Sequence, residues 1–233
     1  MSSRIAILIR HGDYHQRIDA PSALQPFPLT EKGAGQAKKC AEEVFALFRH
    51  RKITINARII CSKQLRAYQT ATILGAELSK LLSRDMQIVE NEALAERSVG
   101  AVANLTTGEI EAVVASDPRY EALPRDWKSK SDFRLPFQGA ESLNDAGARV
   151  ASLINTTLDG LPDSTPPAAQ IFVGHGASIR HAATVMGLLR KEDITRLSMY
   201  HARPVCVQRD ASGSWTHVCG EWKPRKVNET PVD

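Results

Sequence analysis

The chain has 233 residues, a formal net charge of +4, and a composition that is 42% hydrophobic and 24% charged. That is the make-up of an ordinary soluble globular protein, long enough to bury one core without metal or disulfide help. The slight basic excess suits acidic ligands such as phosphate esters but is too small for a nucleic-acid binder, and no stretch is long and apolar enough to span a membrane.

The apolar run 5–9 predicts a fully buried strand, with Arg10-His11-Gly12 directly behind it. After a loop containing Pro21, Pro26 and Pro28, Thr30 is placed to cap a helix reaching about Phe48. Ala34, Ala37, Ala41, Val44 and Phe48 recur there at helical spacing. Residues 57–61 read as a second strand, 65–82 as a second helix with Leu74, Leu78, Leu81 and Leu82 on its apolar side, and 87–89 as a short third strand. The pattern loosens over 91–139. That stretch holds a short helix around 109–115 and a proline-broken basic run with Arg119, Arg125, Lys128, Lys130 and Arg134. Residues 140–158 are helical again, with Leu143, Val150, Leu153 and Ile154 in phase. A link with Pro162, Pro166 and Pro167 leads to the apolar run 171–173, and Gly174-His175-Gly176 follows at once. Residues 204–208 and 215–221, separated by Asp210-Ala211-Ser212-Gly213-Ser214, predict a closing hairpin. Alternating strands and helices imply an α/β fold whose largely parallel sheet is covered on both faces. One domain over residues 1–222 is expected, followed by a polar, mobile tail at 223–233.

The cysteines Cys40, Cys61, Cys206 and Cys219 show no Cys-x-x-Cys spacing and no metal-finger pattern. Cys40 and Cys61 sit in apolar patterns and read as small core residues. With no signal-peptide build at the N-terminus, a reducing, cytoplasmic setting is expected.

His11 and His175 each follow a predicted buried strand, with glycines that let the backbone turn beside them. Ligands of open α/β sheets bind outside the carboxyl ends of the strands, so the two histidines are expected to meet at one site. The string Ser62-Lys63-Gln64-Leu65-Arg66-Ala67-Tyr68-Gln69-Thr70-Ala71 enters the second helix, which projects Arg66 from a helix N-terminus where an anion is already favoured. Glu96, in Leu94-Ala95-Glu96-Arg97, lies in loop structure after the third strand. Taken singly, these are a turn histidine, a solvated first-turn arginine and a surface carboxylate. Their combination points to a site.

In this order, Arg10-His11-Gly12, Leu29-Thr30-Glu31-Lys32-Gly33 with Gln36-Ala37, Ser62 to Ala71, Glu96, Gly139-Ala140-Glu141-Ser142 and Gly174-His175-Gly176 resemble the histidine phosphatase superfamily, the phosphoglycerate-mutase-like group. The resemblance covers roughly residues 4–183. It implies a three-layer α/β/α fold and a covalent phosphohistidine intermediate. By the resemblance His11 is the nucleophile, Arg10, Arg66 and His175 form the phosphate pocket, and Glu96 donates a proton to the leaving group. Glu141 supports the site from behind. Physical chemistry agrees: phosphoryl transfer spreads charge over the equatorial oxygens, and arginine forks bind those oxygens bidentately. Fixed cations would stand in for a metal, so neither metal nor cofactor is expected.

Two features depart from the family pattern. Asp13-Tyr14-His15-Gln16-Arg17 follows Arg-His-Gly here, whereas phosphoglycerate mutases of the family carry Trp-Asn where Gln16-Arg17 stands. The mutase asparagine contacts phosphate, so Arg17 is the candidate cationic substitute in substrate binding. The segment at Tyr14 and His15 is similar to that of mutase-like protein phosphatases, with His15 at the rim. His50, His181, His201 and His217 match no catalytic pattern and are assigned to structure or surface. The expected activity is metal-independent hydrolysis of a phosphomonoester, the substrate a phosphorylated small molecule or a phosphoprotein. A phosphoglycerate-type mutase and a catalytically idle phosphate-binding module are the alternatives. A homodimer is left open.

Overall fold

The computed structural model describes residues 3–21, 23–51, 53–163 and 166–225. Four parallel strands form the heart of the sheet: β1 (Arg4–Arg10), β2 (Thr54–Cys61), β3 (Gln87–Glu90) and β4 (Ala168–Gly174). The short β5 (Leu197–Met199) follows, then β6 (Pro204–Arg209), β7 (Trp215–Cys219) and β8 (Trp222–Pro224). The main sheet has 6 strands in the order β3-β2-β4-β1-β6-β7, with β6 and β7 antiparallel, while β5 and β8 pair separately.

Helices α1 (Glu31–Arg51) and α2 (Leu65–Leu82) cover one face of the sheet, and α4 (Leu143–Asp159) and α5 (Gly176–Val185) the other. Central β1 shows why the strand reads as an unbroken apolar run. Ile5, Ile7 and Ile9 pack with Cys40, Val44 and Leu74, whereas Ala6 and Leu8 pack with Val150, Ile154 and Ile179. Successive side chains point to opposite faces, and both faces are buried. The helix starts are chemically marked. Thr30 Oγ accepts from the Gly33 N–H at 3.0 Å, and Ser142 forms a reciprocal capping box with Asp145. Helix α3 (Thr107–Ser116) starts with a second capping box, Thr106 with Glu109. It belongs to a smaller core of Val99, Val102, Ile110, Trp127 and Leu135, which gives the loosely patterned 91–139 region its own packing.

Several elements differ from the sequence reading. Helix α5 was not predicted, because Gly176 to Ala183 is buried on every side and so carries no apolar stripe. Strand β2 starts at Thr54 rather than 57, with a register shift against β4 between Ile55 and Ile59. The polar tail does not start at 223, since Lys223 pairs with Ser198 within β8, and Arg225 donates its N–H to the Arg196 carbonyl at 2.8 Å. The remainder of that segment, 226–233, lies outside the described residues. Among the described residues, no helix is long and apolar enough to cross a membrane.

Candidate active site

The carboxyl edge of the sheet assembles the site. The His11 N–H donates to Gly174 O at 2.9 Å and the Ser62 N–H to Val173 O at 2.9 Å, which locks the ends of β1, β2 and β4 together. Behind His11 the chain turns against α1 with no room for side chains. A Cβ on Gly12 would lie 2.6 Å from Gly33 O, and one on Gly33 would lie 2.0 Å from Asp13 O. Glycine is required at this crossing because only two bare backbones can approach so closely. Thr70 completes the turn by accepting the Gly12 N–H at 3.0 Å while its hydroxyl donates to Arg66 O at 2.7 Å.

His11, Arg66 and His175 form a buried chain, each at most 2% exposed. His11 Nδ1 lies 2.7 Å from Gly12 O, which can only accept, so Nδ1 carries the ring proton. Nε2 then keeps its lone pair, and Arg66 Nε donates to it at 3.2 Å. Arg66 Nη2 lies 3.2 Å from His175 Nδ1, which leaves the His175 proton on Nε2, 2.9 Å from Ser62 Oγ. Burial holds both histidines well below the usual imidazole range. The positive charges of Arg66 and Arg10 add to the effect on each, and His175 adds to it on His11. Burial also lowers Arg66, although a guanidinium remains charged at any working pH. Arg66 is anchored by Gln25 O at 2.9 Å and lies with Cζ 4.6 Å from the centroid of Tyr14, whose ring meets His11 edge-on. Arg10 donates from Nη1 to Met199 O at 3.2 Å. Its buried Nε has no acceptor among the described residues.

Glu96 is buried at the N-terminus of α5. Oε1 accepts the Arg97 and Ser178 N–H groups, each at 3.0 Å, and Oε2 accepts that of Ala177 at 3.2 Å. Oε2, with one backbone partner, is the oxygen with room for a further proton. The loop carrying Glu96 is braced by an ion pair between Arg149 and Glu141. Arg149 also donates to Ala93 O and Ala95 O, and Glu141 accepts the Ser98 N–H at 3.1 Å. Glu96 opens onto a cavity of about 210 Å³, whose walls are apolar at Ala23, Val99 and Leu143 and basic at Arg97, Lys128 and Arg180. Of the basic run in 119–134, Lys128 reaches this cavity, whereas Arg119 pairs with Asp117 and Arg134 with Asp145.

The structure thus brings together Arg10, His11, Arg66, His175 and the neighbouring Glu96. It does not bring Arg17 into the cluster: that guanidinium bonds Asn104 O and lies 3.5 Å from Glu109 at the start of α3, at the surface. His15 is exposed, and His181 is buried with Nδ1 2.8 Å from Ala177 O, on the wall of the cavity beside Glu96. His201, assigned by sequence to structure or surface, instead faces the centre with its ring centroid 5.6 Å from that of His11. Among the described residues, no group of three or more His, Cys, Asp or Glu side chains is arranged to hold a metal.

Two arginines and two histidines converging at a doubly covered sheet edge, beside a carboxylate, make a site suited to a tetrahedral oxyanion. The family model of the histidine phosphatase superfamily (branch 1) matches residues 6–219, and the chain belongs to that family. It is similar to the 2,3-bisphosphoglycerate-dependent phosphoglycerate mutase 2 of Gloeobacter violaceus, 24% identical over 215 residues that cover 92% of this chain and 90% of the relative. Among solved structures it resembles a mycobacterial glucosyl-3-phosphoglycerate phosphatase, with a TM-score of 0.68, 22% identity, and coverage of 92% of this chain and 97% of that one. Bacillus stearothermophilus YhfR is similar at a TM-score of 0.67 and 22% identity, covering 94% of this chain and 96% of its own.

Proposed function

We propose that the protein is a phosphomonoester phosphatase that works through a phosphohistidine on His11. The observation that carries this reading is the proton-free Nε2 of His11, buried in a cationic pocket and addressed by Arg66 at 3.2 Å. In the first step Nε2 attacks phosphorus, the P–O ester bond breaks, and protonated Glu96 passes its proton to the departing oxygen. In the second, Glu96 takes a proton from water, the resulting hydroxide oxygen attacks phosphorus, and the N–P bond breaks to release orthophosphate. Splitting one displacement into two lowers each barrier. Arg66, His175 and the unused Nε–H of Arg10 stabilise the charge on the equatorial oxygens without a metal. The leaving alcohol occupies the cavity beside Glu96, and its basic wall favours an acidic alcohol.

Hydrolysis is favoured over mutase transfer by residue 17. The resemblance gives mutases a phosphate-binding asparagine there, but here Arg17 is tied to Asn104 and Glu109 at the surface. Support from relatives reaches the shared phosphatase and mutase chemistry and leaves the substrate open. The test is to mix the protein briefly with labelled p-nitrophenyl phosphate and quench it. Acid-labile, base-stable label on the wild type and none on His11→Ala is expected. Label that persists on His11→Ala would place the nucleophile elsewhere, and efficient isomerisation of 3-phosphoglycerate primed by a bisphosphate would favour the mutase.

A further inference from the structure

Strand β1 lies between β4 and β6, and each of the three brings a histidine to the same edge: His175 follows β4, His11 follows β1, and His201 precedes the antiparallel β6. His201 is fixed there by main-chain contacts. It bridges to Arg10, and the next residue, Ala202, donates its N–H to Arg10 O at 2.9 Å. Ala202 is buried with a φ of 44°, in the left-handed region that alanine avoids. Such strain persists where the surroundings over-determine the backbone, and it gathers at functional sites. The imidazole lies against the centre, its plane tilted 35° from that of His11, with Nδ1 3.9 Å from Asp13 Oδ1. Asp13 is itself held, its N–H by Gln36 Oε1 and its carboxylate by the Thr30 hydroxyl, both at 2.8 Å.

We propose that His201 is a positioning residue of the reaction centre, which with Asp13 braces the His11 ring from the β6 side and, when protonated, adds positive charge beside the bound phosphoryl group. The proposal rests on the phosphoryl-transfer reading above. The groups facing His201 are Arg10 and His11 of β1 and Asp13 behind it, Lys39 and Glu43 of α1, Arg203 beside it, and Lys223 of β8. A charge on His201 repels one on His11, so it acts in the same sense as Arg66 and Arg10 and keeps the nucleophile unprotonated.

The test uses inorganic phosphate as the probe, measured by calorimetry at pH 6 and pH 8, and requires no turnover. His201→Gln keeps a polar side chain of similar reach but cannot become charged, whereas His201→Lys is charged at both pH values. Wild type should bind phosphate about fivefold or more tighter than His201→Gln at pH 6. The ratio should shrink at pH 8, because an imidazole loses its charge as pH rises. His201→Lys should hold wild-type affinity at pH 6 and exceed it at pH 8. A wild-type to His201→Gln ratio that does not change with pH would overturn the proposal, since a packing role loses the same affinity at both. Failure of the wild type itself to bind phosphate would overturn the site reading and this proposal with it.

Discussion

Arg66 Nε lies 3.2 Å from His11 Nε2, and because a guanidinium only donates, that ring nitrogen must hold the lone pair. The contact sets the tautomer of His11 in the unliganded pocket. Arg66 does so while fully buried, a state it can hold because Gln25 O, Ala23 O, Gln64 Oε1 and His175 Nδ1 accept from its Nη groups. A cation satisfied in this way can turn some of those donors to a phosphoryl oxygen without leaving the pocket.

Arg66→Lys should therefore fail although it keeps the charge. One ammonium cannot reach His11, His175 and the Gln25 carbonyl in the fork geometry of a guanidinium. Loss of one preorganised donor of this kind slows a reaction by roughly 10²–10³. We expect kcat with p-nitrophenyl phosphate to fall at least that far. A lysine variant within tenfold of wild type would mean that the pocket needs only a charge.

The same burial makes the fold sensitive to acid. The His11 and His175 pKa values are depressed in the folded protein, chiefly by desolvation and then by Arg66. The unfolded chain binds protons near ~6.5 that the native state refuses, so this contribution is complete above that pH and is lost as pH falls toward the native values. Each histidine contributes a slope of about 1.4 kcal/mol per pH unit within that window. Urea midpoints should drop between pH 7 and 5, and the double variant His11→Asn/His175→Asn should show a flatter dependence. An equally steep slope in the variant would assign acid sensitivity to other groups.

Much of this was legible in the sequence, and the parts that were not share a physical cause. Apolar runs directly before Arg10-His11-Gly12 and Gly174-His175-Gly176 marked two strand ends, and parallel pairing of β1 with β4 makes those ends neighbours. Thr30 marked the start of α1 through ordinary capping chemistry. His201 was not legible because it precedes its strand. It shares the edge that carries His11 and His175 because β6 runs antiparallel, and single-residue patterns carry no strand direction. Arg17 shows the converse, since position in a motif says nothing about the nearby Glu109 and Asn104 that claim its guanidinium. Helix α5 was hidden because complete burial erases the helical period.

The crossing of Gly12 and Gly33 links stability to the site. A methyl group at residue 33 would fall 2.0 Å from the Asp13 carbonyl oxygen, a backbone atom that cannot rotate away. Gly33→Ala must push the 12–13 turn off α1. Overpacking of this kind typically costs about 1–3 kcal/mol. Gly35→Ala, on the same helix with nothing within 4 Å, is the control and should leave the protein as stable or slightly more so. Thermal melts of the two variants check this, and similar melting points would mean that the close approach relaxes freely.

Glu96 should matter in proportion to how poorly the leaving group departs. An alkoxide needs a proton as its ester bond breaks, whereas a nitrophenolate leaves nearly unaided. A positioned general acid is worth roughly two to four orders of magnitude where the leaving group demands it. Glu96 also accepts the N–H groups of Ala177 and Ser178, so Glu96→Ala would strip the start of α5 of its acceptor and confuse chemistry with stability. Glu96→Gln is the better variant because its amide oxygen, in the place of Oε1, can still accept from Arg97 and Ser178, while the amide nitrogen in the place of Oε2 cannot deliver the proton. We expect hydrolysis of alkyl and sugar phosphates by Glu96→Gln to fall at least about 100-fold, and phosphorylation by p-nitrophenyl phosphate, read as the burst, to fall less than about tenfold. Turnover after the burst should slow as well, because in the proposed mechanism the same carboxylate takes the proton from water in the second step. Both substrates are measured on one protein, so partial misfolding lowers both rates equally and leaves their ratio unchanged. Equal losses on the two leaving groups would make Glu96 a helix-capping residue and send the search for the acid to Asp13, the carboxylate 3.9 Å from His201.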